Sequence, residues 1–292
     1  MTDKFMTQDN LINILRQISV IAILAMAATF VIITGGIDLS CGSLLALCGV
    51  VFAMYARGEE SGADPIYPLI IPIVIAVVIG LTFGALNGVL VSVLKLAPFI
   101  VTLGTMTIAR GTALLISNGR PISDMSGPWK DFGKNGVGIF PYLVIVMIVA
   151  FIITAIVLNK TKYGRYLYAI GGNEEAARAS GIRTLWVKLS VYVLAGGLVA
   201  VAGILQATRM TVGQPNVGSG YELQAISAVV IGGTSLSGGT GAMWGTLVGA
   251  VIIGVLNNGL DLMGVSSFWQ QIVSGIIIIA AVLLDIVNKK SK

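Results

Sequence analysis

Long apolar runs separated by short polar or glycine-rich stretches dominate this chain. An α-helix that crosses a bilayer needs about 20 predominantly apolar residues. Runs of that kind fall at 17–34, 68–94, 97–117, 139–158, 187–208, 242–263 and 268–287. Two more are shorter: 43–56 (SLLALCGVVFAMYA), which reads as a compact or irregular span, and 222–235 (ELQAISAVVIGGTS), which is polar at one end. The pattern predicts an all-α, polytopic membrane protein of about nine transmembrane helices, with residues 1–292 as one transmembrane domain.

The charges between the runs orient them. The loop 159–188 carries Lys160, Lys162, Arg165, Arg178, Arg183 and Lys188 against Glu174 and Glu175, and the tail adds Lys289, Lys290 and Lys292. Basic loops stay on the cytoplasmic side, so both are expected inside, with a cytoplasmic C-terminus, in the cell (inner) membrane. The loop 57–67 is acidic and 118–138 is mixed, which suits the outer face. Returning from an inside loop to an inside tail needs an even number of crossings, so the polar-ended 222–235 segment is expected to cross. Counting backwards, five crossings put the N-terminus outside, although nothing in MTDKFMTQDNLINILR favours export. One further apolar span upstream is the simplest expectation.

Composition removes whole classes of function. With 56% hydrophobic and 11% charged residues and a mean hydropathy of +0.93, the chain is far from the roughly 25% charge of soluble domains. Its 37 glycines suit close helix approach in lipid. The net charge of +5 sits where a cytoplasmic membrane face needs it, so no nucleic-acid partner is expected. Histidine is absent, and Cys41 and Cys48 read as packing residues. GGTGAMWGT has glycines but lacks the lysine of a phosphate loop. There is no H-E-x-x-H, no G-x-S-x-G and no carboxylate pair at helical spacing. The expectation is a non-enzyme with neither cofactor nor metal.

Two motifs carry what chemistry there is. In TGGIDLS, Asp38 follows two glycines at the edge of an apolar span, where a charge is expensive and faces a cavity, a partner or the interface. The glycines allow the helix to break; Asp38 or Ser40 then either caps the next helix or meets a solute. Asn87, Asn257 and Asn258 put amides into apolar helices, either as helix–helix hydrogen bonds or as further pathway candidates beside Asp38 and Ser40. Arg110, toward the outer end of its span, is placed to snorkel or to pair with a carboxylate. The second motif lies in the basic loop. Asn173 is positioned to cap a short helix, with Glu174 and Glu175 in its first turn, Arg178 within it and Gly181 to end it. EEAARAS is thus either a solvated loop helix or a docking element.

The strings TGGIDLSCGS, APFIVTLGTMTIARG, TKYGRYLYAIGGNEEAARASGI and GYELQAISAVVIGGTSLSGGTG, in this order along nearly the whole chain, resemble the membrane permeases of ABC importers for ribose and related monosaccharides. The resemblance implies a permease domain paired with a second copy of itself, two cytoplasmic ATP-binding cassette subunits and an extracytoplasmic sugar-binding protein. It also implies that the Asn173–Ile182 stretch is the coupling loop that meets the ATPase. The family has ten helices, beginning inside; here the resemblance begins one helix late. There is also an internal echo. TGGIDLSCGS at 34–43 resembles IGGTSLSGGT at 231–240, and GALNGVL at 84–90 resembles GVLNNGL at 254–260. An odd number of crossings between the halves permits an inverted-topology repeat.

Overall fold

The structure, a computed structural model, describes residues 5–59 and 64–266 and, beyond them, residues 268–270, 272, 273, 275–277, 279 and 283. In chain order the elements are α1 (Gln8–Ile33), α2 (Cys41–Tyr55), α3 (Ile70–Ser92), α4 (Pro98–Ser117), α5 (Gly127–Lys134), β1 (Gly136–Val137), β2 (Phe140–Pro141), α6 (Tyr142–Lys160), α7 (Lys162–Gly172), α8 (Glu174–Ala179), α9 (Thr184–Met210), α10 (Tyr221–Ile231) and α11 (Met243–Leu262). Among the described residues, six helices are long and apolar enough to cross a membrane: α1, α3, α4, α6, α9 and α11. The short apolar helices α2 and α10 fall on the two short runs of the sequence. The described residues of the 268–287 run are helical; its remainder and the basic tail lie outside the described residues. The chain is a polytopic, all-α membrane protein; the described residues add the two-residue antiparallel pairing of β1 and β2 and the isolated bridges Arg57–Met125, Gly58–Pro65 and Ile122–Gly213.

The bundle is built around α1. Its residues from Ile18 to Ile33 are buried without interruption. Sequence placed its start near residue 17, but the helix begins at Gln8. The polar first turns find partners that periodicity does not reveal: Asn10 and Asn258 exchange amide hydrogen bonds, each 3.0 Å, and Arg16 donates to the Lys134 carbonyl. Higher up, Thr29 bonds the Ala25 carbonyl at 2.8 Å and the Thr246 hydroxyl at 2.7 Å, tying α1 to α11.

A glycine seam joins α3 to α9. Gly80, Gly84 and Gly88 stand one turn apart on one face of α3. A Cβ on Gly80 would lie 2.4 Å from the Gly196 carbonyl oxygen, and one on Gly84 the same distance from that of Tyr192. Close backbone approach of this kind drives helix association in lipid, where apolar area alone does not.

Two short helices were not anticipated. In α5, Pro128 opens the helix, and Trp129 packs edge-on against Phe52 at 4.9 Å. In α7, Thr161 caps the first turn by accepting from the Gly164 amide, and Leu167 and Ile170 face inward. Both are too short and too polar to register as spans. The exposed tryptophans Trp186 and Trp244 begin α9 and α11 at the end of the bundle that carries α7 and α8. Tryptophan gathers at such levels because its ring suits the membrane–water boundary.

Candidate functional site: two helix breaks beside a polar loop

The TGGIDLS stretch is a break between α1 and α2. α1 ends in a Schellman turn: Gly35, at φ +77°, donates to the Ile32 carbonyl at 2.9 Å, and Gly36 donates to Val31 at 3.0 Å. Glycine is needed there because the left-handed conformation crowds a Cβ. The chain then runs extended through Asp38 before α2 begins. Neither Asp38 nor Ser40 caps the first turn of α2, as capping from sequence would have had it. Instead Asp38 Oδ1 accepts from the Ser40 amide at 2.8 Å and from its hydroxyl at 2.6 Å, so the carboxylate closes its own turn. Asn87 Nδ2 on α3 adds a bond to Ser40 Oγ at 3.1 Å. The Asn87 carbonyl oxygen and the Tyr192 hydroxyl, both buried at this place, have no hydrogen-bond partner among the described residues.

The IGGTSLS stretch repeats the design. α10 ends with Gly233, at φ +85°, donating to Val230 at 2.9 Å, and Thr234 donating to Val229 at 3.1 Å. The two breaks touch, since Gly239 donates to the Ile33 carbonyl at 2.9 Å. α1 and α10 therefore run side by side into the same end, and the first echo relates stretches of one sense. The second echo relates helices of opposite sense: Asn87 lies at the α7–α8 end of α3, and Asn258 at the far end of α11, against Asn10.

The candidate pathway residues thus divide. Asp38, Ser40 and Asn87 are brought together. Asn257 and Asn258 stand at the other end of α1, which spans about 39 Å over its 26 residues. Asn258 pairs with Asn10, while Asn257 donates to Gln224 Oε1 at 3.2 Å. Asn257 also lines a cavity of about 140 Å³ with Gln17, Arg209, Tyr221 and Gln224. Near that end Arg110 lies within electrostatic reach of the Glu222 carboxylate, with no ion-pair contact within 4.0 Å among the described residues. It reaches from α4 to the carbonyls of Pro215 (2.5 Å) and Val217 (2.8 Å).

The basic loop folds as its residues suggest. Asn173 Oδ1 accepts from the Ala176 amide at 2.9 Å and so caps α8. Gly181, at φ +83°, ends it in a third Schellman turn through bonds from Gly181 to Arg178 and from Ile182 to Ala177. Glu175 and Arg178 are exposed, whereas Glu174 bonds Lys188 Nζ at 3.0 Å and ties α8 to α9. Burial pushes the Glu174 carboxyl up, but Lys188, the Thr184 hydroxyl and Arg178 outweigh it and hold it below the usual carboxylate range. Beside α8 a groove of about 880 Å³ opens between Lys95–Pro98 and Arg183–Lys188. On α7, the Tyr168 hydroxyl donates to the Gly241 carbonyl at 2.8 Å, and burial raises its pKa above the ordinary phenol value.

A family model described as the branched-chain amino acid transport system / permease component matches residues 10–282. The chain belongs to that permease family. Among its relatives, the ribose import permease RbsC of Bacillus subtilis is 50% identical over 290 residues, covering 98% of this chain and 87% of the relative. The Escherichia coli K12 protein of that name is 46% identical over 294 residues, 99% of this chain and 89% of the relative. The D-allose transport system permease AlsC of the same strain is 37% identical over 281 residues, 96% and 84%. No solved structure matches. Sequence reading missed two features of the permease. The Gly80–Gly84–Gly88 spacing was legible as a small-residue face; the contact of Tyr168 with Gly241, 73 residues away, left no local signal.

Proposed function

We propose that this chain is the membrane-spanning permease subunit of an ABC importer that passes a ribose-like monosaccharide into the cytoplasm. An extracytoplasmic binding protein delivers the solute, and a separate cytoplasmic ATP-binding cassette subunit supplies the energy. The observation that carries the reading is the end-to-end likeness to ribose import permeases, at 50% and 46% identity. In this reading the chain is one permease domain in the cell membrane, with the 159–188 loop and the C-terminus cytoplasmic. The short helix α8, exposed at Glu175 and Arg178 beside a basic groove, docks the ATPase. Asp38, Ser40 and Asn87 border the pathway at that end, where Asn87 and Tyr192 keep hydrogen-bonding capacity for solute hydroxyls. Asn257 and Asn258 belong to its outer end. A second copy of the permease packs on the open face of α4, where Gly104 and Gly111 have free space beside them.

The test is reconstitution in vesicles with the ATPase and binding protein, following labelled ribose. Uptake is expected only with both partners and ATP, and Glu175→Ala with Arg178→Ala should abolish ATPase association while leaving insertion intact. Ribose uptake without any ATPase would make the chain a stand-alone transporter instead. The family's description favours one competitor, a branched-chain amino acid, so leucine is the second labelled solute. Leucine uptake in place of ribose would overturn the sugar assignment and leave the importer.

A further inference from the structure

The end of α7 is closely enclosed by backbone from two distant parts of the chain. A Cβ on Gly171 would stand 1.8 Å from the Ile33 carbonyl oxygen and 2.4 Å from the Gly239 amide nitrogen. One on Gly238 would come within 2.9 Å of the Gly35 amide nitrogen and 3.1 Å of the Gly171 carbonyl oxygen. One on Gly239 would lie 3.0 Å from the Cα of Gly172. Three backbones therefore meet through glycines: the last turn of α1, the loop 232–242 that joins α10 to α11, and the end of α7. One turn back along α7, Tyr168 fastens the same loop through its bond to Gly241 at 2.8 Å. Downstream, only Asn173 separates α7 from α8, and its side chain caps α8.

This arrangement has a mechanical consequence. Side chains at an ordinary contact absorb small shifts by changing rotamer, whereas close-packed backbone has two discrete arrangements or none. A displacement of α8 must therefore move α7 against both helix breaks together.

We propose that Tyr168 and Gly171 form the joint through which movement of α8 reaches the two helix breaks. Gly171 makes the contact close, and Tyr168 is a positioning residue that keeps loop 232–242 attached to α7. The inference rests on the importer reading for what moves α8, and it adds the residues that pass the movement inward. Tyr168 touches neither solute nor ATPase in this scheme, so its loss should uncouple the two activities without stopping either partner from binding.

The experiment uses the complete importer in vesicles and measures labelled ribose moved per ATP hydrolysed. Tyr168→Phe keeps the ring and removes the donor. It should leave ATPase association and basal hydrolysis unchanged while the ratio falls about fivefold, the weight of one hydrogen bond. Gly171→Ala should lose uptake, whereas Gly172→Ala, which has open space for its Cβ, should retain it. An unchanged ratio in Tyr168→Phe overturns the joint, as does equal damage from the two glycine variants, which would reduce the effect to the helix itself. A wild-type importer that moves ribose without ATP would sink the importer reading, and the role given to the joint with it. ATP-driven wild-type uptake with an undisturbed Tyr168→Phe ratio sinks the joint alone.

Discussion

The carboxylate of Glu174 is held from two sides, by Lys188 Nζ at 3.0 Å and by Arg178 at 3.4 Å. Its folded-state pKa lies below the ordinary value, so its contribution is present at neutral pH, above the unfolded value, and is lost as pH falls through the folded one. Half-exposed pairs of this kind stabilise by about 0.5 kcal/mol. The expected outcome is local: the hydrogen-exchange protection of the α8 amides, taken relative to their intrinsic rates at each pH, should fall below the usual carboxylate range while that of α9 is kept. Unchanged α8 protection at pH 3 would mean that the cap at Asn173 and the turn at Gly181 hold the helix without Glu174. Asn258 illustrates a different economy. An amide in an apolar helix stays buried because Asn10 satisfies both of its hydrogen-bonding sides, and such pairs in membranes are worth about 0.6 kcal/mol each.

At the scale of elements, the α3–α9 seam decides how the bundle closes. A methyl group on Gly84 would meet the Tyr192 carbonyl oxygen at 2.4 Å and the Cα of Val193 at 2.9 Å. Both are backbone, so α3 must move away, and overpacking of this sort costs about 1–3 kcal/mol. The separation would also draw Asn87 from Ser40, because Asn87 sits three residues along the same helix. Gly84→Ala should therefore lower the melting temperature of the purified protein in detergent. Gly259→Ala, with open space and better helix propensity, should leave it level or raise it. Equal losses in the two variants would show that the seam is not the sensitive contact.

The whole molecule leaves α4 on its flank. It packs on α2 and α3 and presents Ile100, Leu103, Ile108 and Leu115 outward, with Gly104 and Gly111 between them. Small residues on an open helix face let a second helix approach. A bulky side chain there would hold two copies apart without touching the fold of one. On the proposed pairing of two copies through α4, Gly111→Leu should shift the purified permease from dimer to monomer in native mass spectrometry, with the melting temperature of the monomer unchanged. A monomeric unsubstituted permease would overturn that pairing. An undiminished dimer would place the seam between copies elsewhere.

Hydropathy alone determined the class of this protein, the positions of its long helices apart from the start of α1, and the two short runs that became α2 and α10. These follow from burial in lipid, which acts on every residue of a span and so leaves a repeated signal along the chain. The capped helix α8 was legible too, because Asn173 and Gly181 act within one turn of where they stand. The tertiary structure decided the rest. Asp38 folds onto Ser40 rather than capping α2, since Asn87 from α3 completes that cluster. Arg110 finds carbonyls 105 and 107 residues away. The start of α1 depends on Asn258, and the meeting of the two breaks at Gly171 depends on three backbones arriving at one point. Such contacts are each made once, between distant residues, and their geometry exists only after the helices have packed.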